Sequence, residues 1–266
     1  MSDAAGNWET ATSDDRHNVA RAAHAAHPSA ASATRGAGVL SGAWPNDPTV
    51  ATVSAVDHSR GIDPGRFRDA VARVQRNGAR LVRTGALSAG GAAVAMAAGF
   101  DVIDELVLLR ADISVFDTAT VRNIRRLPRR HHRRAAVVDV AAFGPLWGFD
   151  ADAIAHARRA TRTSWAGAVA DSAAPAGLGG YAVCGVADDV GYLQRLAVHP
   201  DCARRGHGRR LVMAAGRWCQ RQRCTSVLVN TGAANHRAMA LYMGIGFVDT
   251  GDRLWVLEFD PARGGA

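Results

Sequence analysis

The clearest patterning of apolar and polar positions lies in the second half of the chain. Leu193 and the run Leu196–Val198 have strand character, and His199-Pro200-Asp201 ends the strand because proline lacks the ladder donor. Arg204-Arg205-Gly206-His207-Gly208 follows, and then Leu211, Val212, Ala215 and Trp218 recur at helical spacing. The pattern predicts strand, glycine loop, helix. Further helices are expected over 64–74, 133–143 and 150–160, the last capped by Asp150. Strands are expected over 49–56, 164–170, 179–186 and 190–198, with a Pro/Gly/Ala turn joining the middle two as a hairpin. Residues 16–27 suggest an alanine-rich helix. Residues 29–48, rich in Gly, Ser, Ala and Pro, read as loop or linker.

The first half repeats the second. Val82-Arg83-Thr84-Gly85-Ala86 matches Val229-Asn230-Thr231-Gly232-Ala233, and Ala98-Gly99-Phe100 matches Ile245-Gly246-Phe247, both at a spacing of 147 residues. Ala93 and Ala240, Met96 and Met243, and Val107 and Leu254 fall on the same spacing. Strand, turn, helix, Gly-Phe and closing strand all in register imply two related halves. They differ where chemistry is expected: Ala95 stands opposite Tyr242, Ser88 opposite Asn235, and Arg60-Gly61-Ile62-Asp63-Pro64 stands where the glycine loop would be. Asp63 puts negative charge at that point.

Two glycines at the head of a helix let backbone approach a ligand, and the unpaired N–H groups and positive dipole end favour an anion. Arg204, Arg205, Arg209 and Arg210 add charge, so the loop reads as a phosphate or pyrophosphate cradle. Alone this pattern is weak, and it has neither the lysine and Ser/Thr of a Walker loop nor the spacing of a dinucleotide-binding turn. In context, the segment resembles the coenzyme-A-binding core of the GNAT (N-acetyltransferase) superfamily. Ala203, Gly206 and Gly208 fall on the family's Gln/Arg-x-x-Gly-x-Gly/Ala loop, with Ala203 departing from it. Asn235, Ala238, Tyr242, Gly246 and Phe247 fit its more specific Asn-x-x-Ala-x-x-x-Tyr-x-x-x-Gly-Phe pattern. The resemblance runs from about 135 to 259, and the tandem plan is similar to that of mycothiol synthases.

This resemblance implies an α/β (α+β) fold of two pseudo-repeated modules, each a mixed, mostly antiparallel sheet flanked by helices. Residues 1–117 would form a degenerate half and 118–266 an acetyl-CoA-binding one. It implies that main-chain groups of Leu196, Ala197 and Val198 and of the loop Ala203, Arg204, Arg205, Gly206, His207, Gly208 and Arg209 hold acetyl-CoA, with Asn235 on the pantetheine arm. Tyr242 would protonate the departing thiolate, although a packed tyrosine with a hydrogen-bonded hydroxyl is the alternative. The aromatic stretch Phe143, Trp147, Phe149 is either an acceptor wall or a staple closing two helices. Many relatives carry a glutamate base on the strand that here offers Tyr192, Gln194 and Arg195. His199 reads as a turn residue. A base is not needed if water removes the proton or the amine arrives neutral.

Composition narrows the rest. Hydrophobic residues make up 48% of the 266, enough for a core. Four cysteines lack C-x-x-C spacing and fit a reducing cytoplasm. His17, His24 and His27 lack a carboxylate set and read as surface rather than metal ligands. No signal peptide or membrane helix is expected. The net charge of +8 permits anionic partners. Residues 122–134 hold seven arginines and two histidines, either a nucleic-acid patch or a solvated strand and helix start; aromatic interleaving for base stacking is absent. The expected activity is acetyl transfer from acetyl-CoA to a primary amine, on a small molecule or a peptide, without a metal. The rival is a non-catalytic scaffold binding nucleic acid or an acidic partner through that arginine segment.

Overall fold

A computed structural model describes residues 34–36, 39–44, 47–55, 62–116 and 122–262. The first half runs β1 (Thr34–Gly36), β2 (Val39–Trp44), β3 (Asp47–Ala55), α1 (Pro64–Arg76), β4 (Leu81–Thr84), α2 (Ala89–Ala97) and β5 (Asp101–Asp112). The second runs β6 (Arg125–Arg126), α3 (His132–Trp147), α4 (Ala151–Ala157), β7 (Thr163–Ala170), β8 (Leu178–Ala187), β9 (Val190–Val198), α5 (His207–Arg221), β10 (Ser226–Gly232), α6 (His236–Met243) and β11 (Val248–Phe259). The expected helices and strands fall on these elements within a few residues. Asp150 caps α4, its carboxylate accepting from Ala153 N at 2.7 Å. The expected loop over 29–48 is overturned where it is described. Residues 34–36, 39–44 and 47–48 are strand, and Trp44 is buried at 2% exposure. Their composition is turn-like, but ladder pairing with β3 outweighs local propensity. The helix expected at 16–27 lies outside the described residues.

The eleven strands among the described residues form one sheet in the order β1-β2-β3-β4-β11-β5-β10-β9-β8-β7-β6. The order records an exchange: β11 lies between β4 and β5 of the first half, and β5 lies between β11 and β10 of the second. The spacing of 147 residues carries β5 onto β11 end to end, so the exchange has pseudo-two-fold symmetry. Register is fixed by runs such as Ser226↔Asp112 to Gly232↔Leu106 on one side of β5 and Val248↔Arg110 to Glu258↔Asp101 on the other.

The cores follow the same exchange. Val107, Leu109 and Ala111 of β5 pack with Val227, Val229, Leu211 and Phe247 of the second half. Leu257 of β11 packs with Phe67, Val82 and Phe100 of the first. A cut between 117 and 118 divides the sequence repeat, but it divides neither the sheet nor its cores.

The halves differ at their parallel strand pairs. β3 and β4 stay in register from Val50↔Leu81 to Val53↔Thr84, and Gly85 N bonds Val53 O at 3.3 Å beyond. β9 and β10 pair only over Val190–Tyr192 and Ser226–Leu228 and then part. β9 also carries a bulge: Cys184 faces Leu193 and Val183 faces Arg195, which leaves Gln194 as the extra residue.

Candidate functional site

The turn from β9 into α5 leaves an open helix N-terminus where the anion cradle is expected. Gly206 stands before the helix at φ 74°, and Arg204 also adopts a left-handed φ of 59°, an uncommon conformation for a residue with a side chain. The first intrahelical bond is from Arg210 N to Gly206 O, and no side chain caps the helix. The N–H groups of His207, Gly208 and Arg209 are left without helical acceptors and point out of the N-terminus. Gly208 permits a close approach of elements, since a Cβ there would meet Leu241 Cδ2 of α6 at 3.1 Å and Val198 Cγ2 of β9 at 3.8 Å. In the first half the corresponding helix start is sealed. The Asp63 carboxylate accepts from Arg66 N at 2.8 Å.

The basic side chains around the cradle serve mostly to hold it. His207 is buried, with Nε2 2.7 Å from Asp171 Oδ2 and Nδ1 against the Arg210 guanidinium. Arg205 reaches both Asp171 oxygens at 3.1 Å. The Ala173 N–H, His207 and Arg205 together hold the Asp171 carboxyl well below the usual carboxylate range. Arg209 donates to Gly244 O at 2.9 Å and ties α5 to α6. Arg204 is exposed, and Ala203 stands between the short turn at 200–202 and the cradle. Asp171, Cys202 and His207 bring donor atoms within 4.8 Å of one another, but the set is already engaged in these bonds and faces two guanidinium groups. His199 Nδ1 accepts from Asp201 N at 3.3 Å, which makes it a turn residue as expected.

Where β9 and β10 part, a groove of about 440 Å³ opens, lined from α3, β5, β9, β10 and α6. Leu196 lies in its wall. Ala197 is buried and pairs with Tyr181, and Val198 pairs with Gly180. Asn235 caps α6 by accepting from Ala238 N at 3.1 Å and also lines the groove. Tyr242, about two turns further along α6, is buried there, and burial pushes its phenol above the ordinary range against a small opposing effect of Arg195. It therefore stays protonated at neutral pH.

The aromatic stretch is no simple loop. α3 runs on to Trp147 across a kink at Gly144, whose φ of 77° and ψ of 171° precede Pro145. Phe143 and Trp147 line the groove. Phe149 does not: it is fully buried and packs behind the wall. Its ring and that of Phe143 sandwich Arg195, whose guanidinium carbon lies 3.9 and 3.8 Å from the two centroids. Arg195 in turn grips buried Asp139 with Nε at 2.9 Å and Nη2 at 2.5 Å, and donates to Trp147 O at 2.8 Å. Tyr181 Oη and Phe149 N complete the Asp139 shell at 2.5 and 2.6 Å. The first half supports this wall, because Trp44 Nε1 donates to Leu146 O at 2.7 Å and its ring meets Trp147 edge-on at 5.6 Å.

Several lining residues were not expected in the groove. Asp104 and Leu106 come from β5, and Gln194 sits on the β9 bulge. Burial raises the Asp104 pKa; the Glu105 N–H opposes this, and the Glu105 charge reinforces it. Gln194 is 4% exposed, and neither its Oε1 nor its Nε2 has a hydrogen-bond partner among the described residues. The arginine segment lies apart, at the far edge of the sheet. Arg125, Arg126, Arg129 and Arg130 are exposed, Leu127 is buried, and Val121 is outside the described residues.

Residues 129–247 match the family model of the acetyltransferase (GNAT) family. Among solved structures, the chain is similar to a tandem GNAT protein from the clavulanic acid biosynthesis pathway, at 16% identity and a TM-score of 0.55 over 79% of this chain and 75% of that one. A GCN5-related N-acetyltransferase from Kribbella flavida is 13% identical at a TM-score of 0.59, over 91% and 95% of the two chains. Another from Sphaerobacter thermophilus is 15% identical at 0.54, over 84% and 77%. At these identities the likeness is one of fold. No curated protein matches the chain in sequence.

Proposed function

Because residues 129–247 form a domain of the acetyltransferase (GNAT) family, we propose that this chain is an acetyl-CoA-dependent N-acetyltransferase acting on a primary amine of a small molecule. One observation carries the reading: an uncapped helix N-terminus follows β9 where it has parted from β10, and the groove between the parted strands is lined by a buried, protonated tyrosine.

The residues present fit the cofactor. The N–H groups of His207, Gly208 and Arg209 would take the pyrophosphate, with Arg204 beside them; a Cβ at 208 would crowd Leu241. The unpaired edge of β9 at Leu196–Val198 and the Asn235 amide would take the pantetheine arm. Bound there, acetyl-CoA would supply an acetyl group activated as a thioester. Main-chain N–H groups on the open edge of β9 would polarise the carbonyl, and Tyr242 would donate its proton to the leaving sulfur. Trp147 and Phe143 would exclude water from the acceptor side. A groove of this size suits the end of the cofactor and a small acceptor better than a folded protein surface.

The same reasoning makes the first half inactive toward acetyl-CoA. Its strand pair does not open, and Asp63 occupies its helix start. All four cysteines are free thiols, which fits the cytoplasm. Among the described residues no helix is long and apolar enough to cross a membrane.

Thiol release from acetyl-CoA in the presence of a panel of primary amines tests the activity. Tyr242→Phe is expected to lower turnover by roughly 10²-fold or more while acetyl-CoA binding stays within about twofold. Unchanged turnover would remove Tyr242 from the chemistry, and no thiol release with any amine would refute the enzymatic reading.

A further inference from the structure

We propose that Asp104 and Gln194 form the acceptor subsite of the groove, and that it selects a monocationic amine carried on an apolar body with one hydrogen-bonding group nearby. The inference rests on the acetyltransferase reading above and goes beyond it, because it assigns the acceptor's charge partner to a strand of the first half.

Asp104 is the one carboxylate among the lining residues, and the one lining cation, Arg195, is committed to Asp139. No described cation pairs with Asp104. It stands two positions before Leu106 and so shares its face of β5, the face on which Leu106 packs with Trp147. That places the carboxylate on the aromatic, acceptor side of the sheet. A Cβ at Gly232 of β10 would lie 3.4 Å from Asp104 Oδ1, so the missing side chain there leaves the carboxylate open to the groove. Half burial of an unpaired carboxylate is costly, and a bound ammonium would remove the cost. Burial also holds the carboxyl above its ordinary range, closer to the affinity for protons that accepting one from an ammonium requires.

Gln194 supplies the independent observation. A bulge puts it in the groove wall with a buried amide and, among the described residues, no partner for either end. Native structures rarely leave such a group unmet, and the groove that Gln194 lines is the place from which a ligand could supply the partner. Leu106, Leu193, Phe143 and Trp147 supply apolar and aromatic wall, and the other polar lining residues, Asn230, Thr231 and Asn235, carry no charge. One negative charge therefore matches one ammonium, and a polyamine would leave its further cations without a counter-charge.

The step balances as follows. The ammonium gives one proton to Asp104, its nitrogen lone pair forms the N–C bond to the acetyl carbon, and the C–S pair leaves on sulfur, which takes a proton from Tyr242. The amide nitrogen then gives its extra proton to the Tyr242 phenolate, and Asp104 releases the proton it took to solvent, so that one proton leaves per turnover.

The test compares 2-phenylethylamine, tyramine and spermidine as acceptors at saturating acetyl-CoA, with calorimetric acetyl-CoA binding and thermal melting measured alongside. The two aromatic amines are expected to exceed spermidine in kcat/KM by at least about tenfold, by the selectivity that one mismatched charge imposes. Asp104→Asn is expected to lower kcat/KM by roughly 10²–10⁴-fold, with acetyl-CoA affinity within about twofold and Tm unchanged or raised. Gln194→Leu is expected to raise Tm, because it removes an unsatisfied amide, yet to weaken acceptor KM. Normal turnover in Asp104→Asn, or preference for spermidine, overturns the subsite and leaves the acetyltransferase reading standing. Failure of the unaltered protein to bind acetyl-CoA overturns both.

Discussion

Replacing Asp139 by Asn removes the hub that holds the aromatic wall of the groove. In the unaltered protein its two oxygens accept from Phe149 N, Tyr181 Oη and both Arg195 nitrogens, and its side chain is fully buried. The amide keeps one acceptor oxygen and turns an NH₂ group toward donors, so at least two of these four bonds are lost. Arg195, whose side chain is 13% exposed, is left as a nearly buried cation without a counter-charge. Removing one partner of a buried pair costs about 3–5 kcal/mol, which for a chain of this size lowers Tm by roughly 6–20 °C. Urea denaturation followed by tryptophan fluorescence, with ΔG and m extrapolated to water, measures the loss. Since Arg195 also holds the Trp147 carbonyl, acceptor KM is expected to rise while acetyl-CoA affinity changes little. A loss below about 1 kcal/mol, the range of solvent-screened pairs, would refute the claim that this network anchors the wall.

Two further outcomes follow from the fold. Leu109→Ala on β5 deletes a fully buried side chain packed in the second-half core; it is expected to cost about 2–5 kcal/mol and to shift one cooperative unfolding transition monitored by both circular dichroism and acetyl-CoA binding. Separate transitions for the two halves would contradict the exchanged sheet. Asp171→Ala is expected to destabilise the cradle at neutral pH. Because the folded pKa of Asp171 is depressed, its contribution is present above the unfolded carboxylate range near pH 4 and fades as pH falls through the folded value. The melting-temperature gap between the two proteins should therefore narrow below about pH 4, and a gap independent of pH would contradict the ion-pair role.

Most local elements were legible in the sequence because periodicity and punctuation reported them directly. The strand, the glycine loop and α5 follow from Pro200, Gly206 and the spacing of Leu211, Val212, Ala215 and Trp218. The repeat was legible as well, and it maps β5 onto β11 without a gap. The exchange was not, because a strand's pairing partner is set by the whole sheet and both β5 and β11 read alike along the chain. For the same reason Asp104 escaped notice as a groove residue: the one signal is a pair of carboxylates, Asp104 and Glu105, within an otherwise apolar strand from Val102 to Leu109. Gln194 was visible as a polar residue on β9, but the bulge that turns it into the groove wall appears only in the register with β8. Phe149 reads like Phe143 and Trp147 in composition; the kink at Gly144 and the Asp139 bond to its N–H send it into the core instead.

The most direct test of the central claim, that the second half alone binds acetyl-CoA, is calorimetric titration of the full chain beside a Gly206→Glu, Gly208→Glu variant. Both changes put negative charge at the N-terminus of α5, and the first also forces a side chain onto a backbone at φ 74°. A single saturable site in the unaltered protein, lost in the variant, is the expected result. No binding by the unaltered protein, two sites, or binding undiminished in the variant would contradict it.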